Sequence, residues 1–517
     1  MPVASIDPAA LDALFAPFGR TDAPGYAVGV AVPGQPPYRR GFGVASVELP
    51  VPLSPSIRMR IGSTTKHFTA LAVLLLAEEG RLSLDDSPRR HLPELPGWAD
   101  AMTLRQLLAH TSGMRDSLDL LLHSAGPGRT ASPDMQVRYL AGLDSVNFAP
   151  GTSWNYNNGG YVLAAAIVER VGGRPFADFM RDRIFTPVGM HDTLVRALDT
   201  DLVPNSATLH VARPDGGWDR GVFGTAIGGE GGIASTVDDM LRWLRHLRAP
   251  TVGTAESWAA IRAPLTTHGY GLGLFNERRR GLDVLQHAGA VVGGSCQMLS
   301  VVEPALDIVL ISNGVGSLKG YRLVDQIIDR CITGLPEARG NEATRPVIAG
   351  TFYAPETGRV LALADQDGAQ AIRLGAMTLP ARVDDAHGMT VDMLPTDMRL
   401  TASTDGDALD LVEFGARERL ERVVPPPRPD AGALVGTHES RAAQLRAVIE
   451  ADGAAGATMT VTGPLGSLCY HAAAIGPALW EARAEGALGM AVTIEVMPDG
   501  FLLTTGRTTR LRFDRRP

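Results

Sequence analysis

The sequence predicts an α+β fold: an antiparallel sheet interrupted by a helical insertion, followed by two small antiparallel β-barrels. Three observations carry this expectation. Alternating strand-like runs occur near residues 26–44 and again at 282–312, with helical periodicity between them. At 517 residues the chain exceeds one compact core, since domains hold roughly 100–200 residues each. After Gly334 the pattern changes to short alternating runs broken by Gly and Asp, an all-β signature.

Residues 1–20 read as a short amphipathic helix. Tyr26–Val32 and Tyr38–Val44 alternate around Pro33-Gly34-Gln35-Pro36-Pro37 and form a hairpin. Arg58–Ile61 is a short strand running into Ser63, and a helix follows to Glu79, where Gly80 stops it. Thr103 to about Leu198 is mainly helical, with a loop at Phe148–Gly160. Ser235 and Thr236 offer an N-cap to the next helix. Strands resume at Leu282–His287, Cys296–Val302 and Asp307–Ser312, and Leu318–Cys331 is a closing amphipathic helix. With strands at both ends of this unit, its sheet is closed by both termini.

Leu335–Val347 is polar and reads as a linker, and Pro425–Pro429 as a stiff boundary. The expected domains are therefore residues 1–334, 346–424 and 431–517.

Net charge is −8, and no basic run tracks a nucleic-acid backbone, so nucleic-acid binding has no support. The most apolar helical stretch, Leu71–Ala77, falls far short of the ~20 residues that span a bilayer. The opening MPVASIDPAALDALF lacks a basic segment followed by an apolar run, so a cytoplasmic location is the default. Cys296, Cys331 and Cys469 have no metal spacing and read as buried thiols.

The chemistry begins at Ser63-Thr64-Thr65-Lys66, an S-x-x-K at a helix start. A spacing of three puts both side chains on one face, roughly 5–6 Å apart at Cβ. Serine needs an adjacent base to act as a nucleophile, and a desolvated lysine supplies one. Alone the motif also reads as an N-cap serine. Asn155-Tyr156-Asn157-Asn158-Gly159-Gly160 carries Y-x-N in a loop before a helix, and His287-Ala288-Gly289 ends a strand. Each has a plain structural reading too: a turn aromatic, a turn, a strand histidine.

Together and in this order, the three motifs resemble the penicillin-recognising serine hydrolases: class C β-lactamases, D,D-peptidases and related esterases. Leu104–Met114 and Gly231–Thr236 add to the match. Tyr156 and Asn158 stand in place of S-D-N, and His287 in place of the lysine of K-T-G, which marks the tyrosine-bearing branch. The resemblance implies a β-lactamase-like catalytic domain, needing neither metal nor organic cofactor. Ser63 would be acylated, with Lys66 and Tyr156 sharing proton transfer and His287 assisting. Asn158 would orient Lys66 and the substrate amide, and the backbone N–H groups of Ser63 and Ala290 would form the oxyanion hole. His110 belongs to a structural turn in that pattern.

The two added β-domains resemble the D-aminopeptidase branch, through Gly350–Gly358, Gly436-Thr437-His438 and Gly476–Trp480. That implies release of N-terminal D-residues from small peptides, amides or esters, and a homodimer. It also implies a third-domain loop whose carboxylate meets the substrate amine. The matching region, Glu481–Ala491, offers Glu485 or Glu481, with Glu485 preferred for its central place and Glu230 as a further candidate. Phe275 stands where the family has an asparagine. Two other readings remain open: an esterase or amidase indifferent to the amine, and a covalent sensor of β-lactams.

Overall fold

The computed structural model describes residues 2–132, 134–335, 348–366, 369–375, 377–383, 388–391, 396–453, 456–485 and 489–516. The proposed linker beyond Leu335, and the start of the middle domain at 346, lie outside them.

Helix α1 (Pro8–Phe15) is capped by the Asp7 carboxylate, which accepts from the Ala9 and Ala10 amides. Six antiparallel strands follow in the catalytic unit: β1 (Tyr26–Ala31), β2 (Tyr38–Phe42), β3 (Phe275–Arg279), β4 (Leu282–Val291), β5 (Gly294–Val301) and β6 (Leu306–Ser312). Their order is β2-β1-β6-β5-β4-β3, so the first and last hairpins meet in mid-sheet. Val3–Ala4 pairs with Ile332–Thr333, completing closure by both ends. Strand β3 is absent from the sequence reading because Asn276-Glu277-Arg278-Arg279 is polar, as suits an edge.

Strands β5 and β6 are buried along their whole length, which requires a layer on each face. Alternate side chains divide accordingly. Cys296, Met298, Val309 and Ile311 join the core around helix α2 (Lys66–Glu78). Leu299, Val301, Ile308 and Leu310 meet Leu11 and Phe15 of α1 and Leu323 and Ile327 of the last helix of this unit, Ser317–Cys331. Every residue of α2 from Lys66 to Leu76 is buried, so it is the central helix of the unit. The insertion supplies α3 (Ser117–Ala125), α4 (Asn158–Gly172) and α5 (Val237–Arg248), the last capped by Thr236, whose hydroxyl accepts the Asp239 amide at 3.1 Å.

The middle sheet has nine strands between Gly350 and Val423. Its two edge strands, Met377–Pro380 and Arg382–Val383, are separated by Ala381 alone, so the sheet curls until its edges nearly meet. The last eight strands, from Gly436 to Arg515, close fully into a barrel. The sequence expectation of two barrels therefore holds with one difference: the first is nearly closed and the second closed.

The middle sheet keeps its own core. The closed barrel does not: Ala443, Met459, Tyr470 and Phe513 belong to the same cluster as Leu107, Leu121 and Tyr139 of the catalytic unit. Polar contacts pin this seam. The Tyr139 hydroxyl donates to the Ala443 carbonyl at 2.7 Å, and the Tyr470 hydroxyl donates to the His123 carbonyl at 2.7 Å. Cys296 and Cys331 are buried as expected, whereas Cys469 is only half-buried. No described helix is long and apolar enough to cross a membrane.

Because the barrel completes the catalytic core, a chain ended after Gly334 is expected to aggregate, measured by size-exclusion chromatography and thermal melting. A monodisperse fragment with a cooperative melt would show that the catalytic core closes without it.

Candidate active site

Strand residues Met59-Arg60 lead to Gly62 at φ +53, and the chain tightens there into the turn Gly62–Thr65 that opens α2. This turn lies against β4. A Cβ on Gly62 would sit 2.7 Å from the Ala290 nitrogen, and one on Gly289 would sit 1.8 Å from the Ile61 oxygen. Only glycine permits so close a backbone approach. The two threonines within S-x-x-K hold the turn in place. Thr64 donates to the His287 carbonyl at 3.3 Å, and Thr65 accepts the Ile233 amide at 3.1 Å.

Lys66 Nζ is 3.1 Å from Ser63 Oγ, 2.9 Å from Asn158 Oδ1 and 2.7 Å from the Glu230 carbonyl. Asn158 cannot turn around, because its Nδ2 donates to Asp116 Oδ2 at 3.2 Å. Two neighbours that only accept therefore take two N–H groups of the amine, and a neutral lysine turns its lone pair to Ser63. Burial pushes the Lys66 ammonium down to about 7, against the opposing pull of Glu230.

Two basic groups lie against the Tyr156 ring: Lys66 Nζ is 4.7 Å and the Arg507 guanidinium carbon 5.0 Å from its centroid. Burial raises its proton affinity well above the usual range, while Ser63 and Arg507 pull the other way. The resting phenol is thus neutral and able to donate. His287 is pushed down to about 3, by burial first and by Lys66 second. It is a neutral imidazole whose Nδ1 meets the Ala288 carbonyl at 2.6 Å, leaving Nε2 without a protein partner among the described residues.

His110, at φ +61, accepts the Asn157 amide at Nδ1 (3.1 Å) and faces the Tyr270 hydroxyl at Nε2 (3.0 Å). It holds the Tyr156–Asn158 loop and does not line the cavity beside Ser63. That cavity, of about 500 Å³, is lined by all three sheets. The catalytic unit supplies Ser63, Tyr156, Asn158, Glu230, Phe275, His287 and Ala290. The middle sheet adds Leu374, Leu379, Val391, Met398, Glu413 and Phe414, and the barrel adds Arg507. Phe414 packs on Trp154 with ring centroids 4.2 Å apart.

Six of the residues expected from sequence thus line one cavity, Ser63, Tyr156, Asn158, Glu230, His287 and Ala290, and a seventh, Lys66, is buried behind Ser63 and bonded to it. Glu481 and Glu485 are not brought to it. Glu481 is held by Arg373 of the middle sheet at 2.6 Å and by Arg483 at 2.8 Å. Glu485 is exposed and pairs with His471 at 2.6 Å. Barrel closure directs their hairpin toward the middle sheet and solvent, and residues 486–488 of the expected loop lie outside the described residues. Glu230 lines the cavity with both oxygens engaged, by Gln136 at 2.8 Å and the Gly228 amide at 2.8 Å. Asn276 does not replace the asparagine missing at Phe275, since its amide donates to the Arg262 carbonyl.

The barrel segment that enters is the turn after Thr504. Thr505 and Thr508 hydroxyls donate to Asp119 at 2.6 and 2.8 Å, and Asn147 and Asn155 donate to the Arg507 carbonyl. Arg507 Nη1 then reaches Asp116 Oδ2 at 3.1 Å. Neither Arg507 nor Asp116 is marked by a sequence motif. The only signal was Asp116-Ser117 ahead of a helical run, an N-cap pattern that Asp116 fulfils for α3.

Residues 11–328 match the family model described as Beta-lactamase. The chain is 29% identical over 402 residues to a D-aminopeptidase of Brucella melitensis biotype 2, covering 75% of this chain and 74% of that one. It is 28% identical over 346 residues to a D-aminopeptidase of Gluconobacter oxydans, covering 66% of this chain and 65%, just under two thirds, of that one. Among solved structures, the D-amino acid amidase from Ochrobactrum anthropi SV3 complexed with D-phenylalanine aligns at TM-score 0.54 and 26% identity, covering 62% of this chain and 97% of that chain. The octameric penicillin-binding protein homologue from Pyrococcus abyssi aligns at TM-score 0.56 and 21% identity, over 80% of this chain and 100% of that one, a likeness of fold alone.

A lysine that works as a neutral base is inactive below its pKa. Hydrolysis of an activated ester is therefore expected to rise with pH through about 7, read as kcat/KM. Lys66→Met is expected to lower it about 100-fold or more and to abolish that limb. A limb that persists in Lys66→Met would assign it to another group.

Proposed function

The chain belongs to the Beta-lactamase family, and from that premise we propose that it is a serine hydrolase releasing D-amino acids from small peptides, amides or esters. The observation that carries the reading is the connected chain Ser63–Lys66–Asn158–Asp116, buried against a cavity of substrate size.

In this mechanism neutral Lys66 takes the Ser63 proton as Oγ attacks the scissile carbonyl. The resulting oxyanion lies between the backbone N–H groups of Ser63 and Ala290, which the glycines at 62 and 289 allow to approach. Tyr156, neutral and beside Ser63, passes a proton to the leaving nitrogen and is refilled from Lys66. Water then enters, the same pair removes its proton, and the acyl-enzyme is hydrolysed. His287 offers its bare Nε2 to hydroxyl groups entering the cavity. The D-preference rests on the named relatives, whereas a homodimer is expected from the sequence resemblance alone. Light scattering in solution reads the oligomer, and an octamer would replace the dimer.

A second reading has a specific observation behind it. Both carboxylates among the described residues lining the cavity have each oxygen engaged: Glu230 as above, and Glu413 by Arg359 at 2.7 Å and Thr396 at 2.8 Å. This favours an amidase or esterase that does not require a free amine.

Release of p-nitroaniline from D-alanine p-nitroanilide, its L-enantiomer and its N-acetyl form separates the two, with Ser63→Ala as the blank. Turnover confined to the free-amine D-substrate and lost in the variant is the expected result for the aminopeptidase. Equal turnover of the N-acetyl form would select the amine-indifferent enzyme, and equal turnover of both enantiomers would remove the D-assignment.

A further inference from the structure

Among the described residues, the one cation that lines the cavity comes from the third domain. Arg507 commits Nη1 to Asp116, and its Nε and Nη2 have no protein partner among the described residues. A guanidinium carries five N–H donors in a rigid fork, a shape that matches a carboxylate. The side chain is 37% exposed, whereas Asp116 is 0% exposed, so the ion pair is open on the arginine side only. Leu118, Leu122 and Phe223 line the same cavity, and low polarity there strengthens a charged hydrogen bond.

The placement is rigid. Arg507 lies between two threonines anchored on Asp119, and its carbonyl is held by Asn147 and Asn155. Its guanidinium carbon lies 5.0 Å from the Tyr156 ring centroid, in the wall of the cavity that holds Ser63, so the uncommitted donors lie at the candidate site rather than away from it. The wall offers no matching anion among the described residues: Glu230 and Glu413 are engaged at each oxygen.

We propose that Arg507 is an anion subsite of this active site, so that preferred substrates carry a carboxylate within reach of Tyr156. The inference deepens, and rests on, the reading of the chain as a hydrolase of D-amino acid derivatives. The carboxylate has two sources: the α-carboxylate of the leaving residue in a short peptide, or an acidic group on the acyl side.

Two pairs of substrates distinguish them, each differing only in the anion: D-alanyl-glycine against D-alanyl-glycinamide, and D-glutamate α-p-nitroanilide against D-glutamine p-nitroanilide. The wild-type enzyme is expected to prefer the anionic member of one pair by about tenfold or more in kcat/KM, as a charged hydrogen bond supplies. The pair that responds identifies the source. Arg507→Met is expected to erase the ratio and Arg507→Lys to retain part of it. A purely structural Arg507 would lower both members alike, leaving the ratio unchanged, and that result overturns the proposal. So does a wild-type ratio near one in both pairs.

Should the variants fail to fold, phenylglyoxal labelling of Arg507 in the wild-type enzyme, read by peptide mass, takes their place. Glycine or propionate is expected to slow labelling where glycinamide or propionamide does not. Equal labelling overturns the proposal. If no D-substrate of either pair is hydrolysed, the D-hydrolase reading falls, while the labelling experiment still judges the subsite.

Discussion

Asp116 is a carboxylate with no exposed surface, and its bonds join three separate parts of the molecule. It caps α3 through the Leu118 and Asp119 amides, accepts from the Asn158 amide and side chain, and pairs with Arg507 of the barrel. A buried charge without partners costs several kcal/mol. Asp116 therefore holds the helix, the Y-x-N loop and the barrel turn in mutual register. The orientation of Asn158, and through it the aim of Lys66, depends on that register.

The same burial sets the proton chemistry. Lys66, Tyr156 and His287 are enclosed together, and each is pushed toward its neutral form. A neutral lysine, a neutral phenol and a neutral imidazole can accept, donate and accept, which is the complement that acyl transfer to and from a serine requires. The basic groups against the Tyr156 ring favour transient negative charge on it without creating that charge at rest. Dry surroundings, rather than a dedicated acid–base dyad, hold these groups in the forms that a serine nucleophile would need.

The candidate reacting groups sit on the catalytic unit, whereas the cavity around them is shared by all three units. Its apolar far wall belongs to the middle sheet, and its cation belongs to the barrel. The fusion of the barrel core with the catalytic core makes that arrangement stiff. Substrate choice can thus diverge through the C-terminal half while the reacting groups stay unchanged.

The sequence by itself determined the groups whose partners lie a few residues away or on a patterned element. Ser63 and Lys66 are one helical turn apart, Tyr156 and Asn158 share one loop, and His287 to Ala290 lie on one strand, so each is a short motif that its order and its resemblance to a family pattern made legible. Alternation likewise marked the sheet strands, except polar β3, and the all-β character of the C-terminal half. Only the tertiary structure decided which distant residues meet them. Glu485 was chosen by position in a loop, and the barrel turned that hairpin away, toward His471. Arg507 reached the cavity across 391 residues from Asp116. Closing an eight-stranded barrel fixes which turn faces the catalytic unit. That choice is set by the shear of the whole barrel and the packing of its core, and no local pattern encodes either.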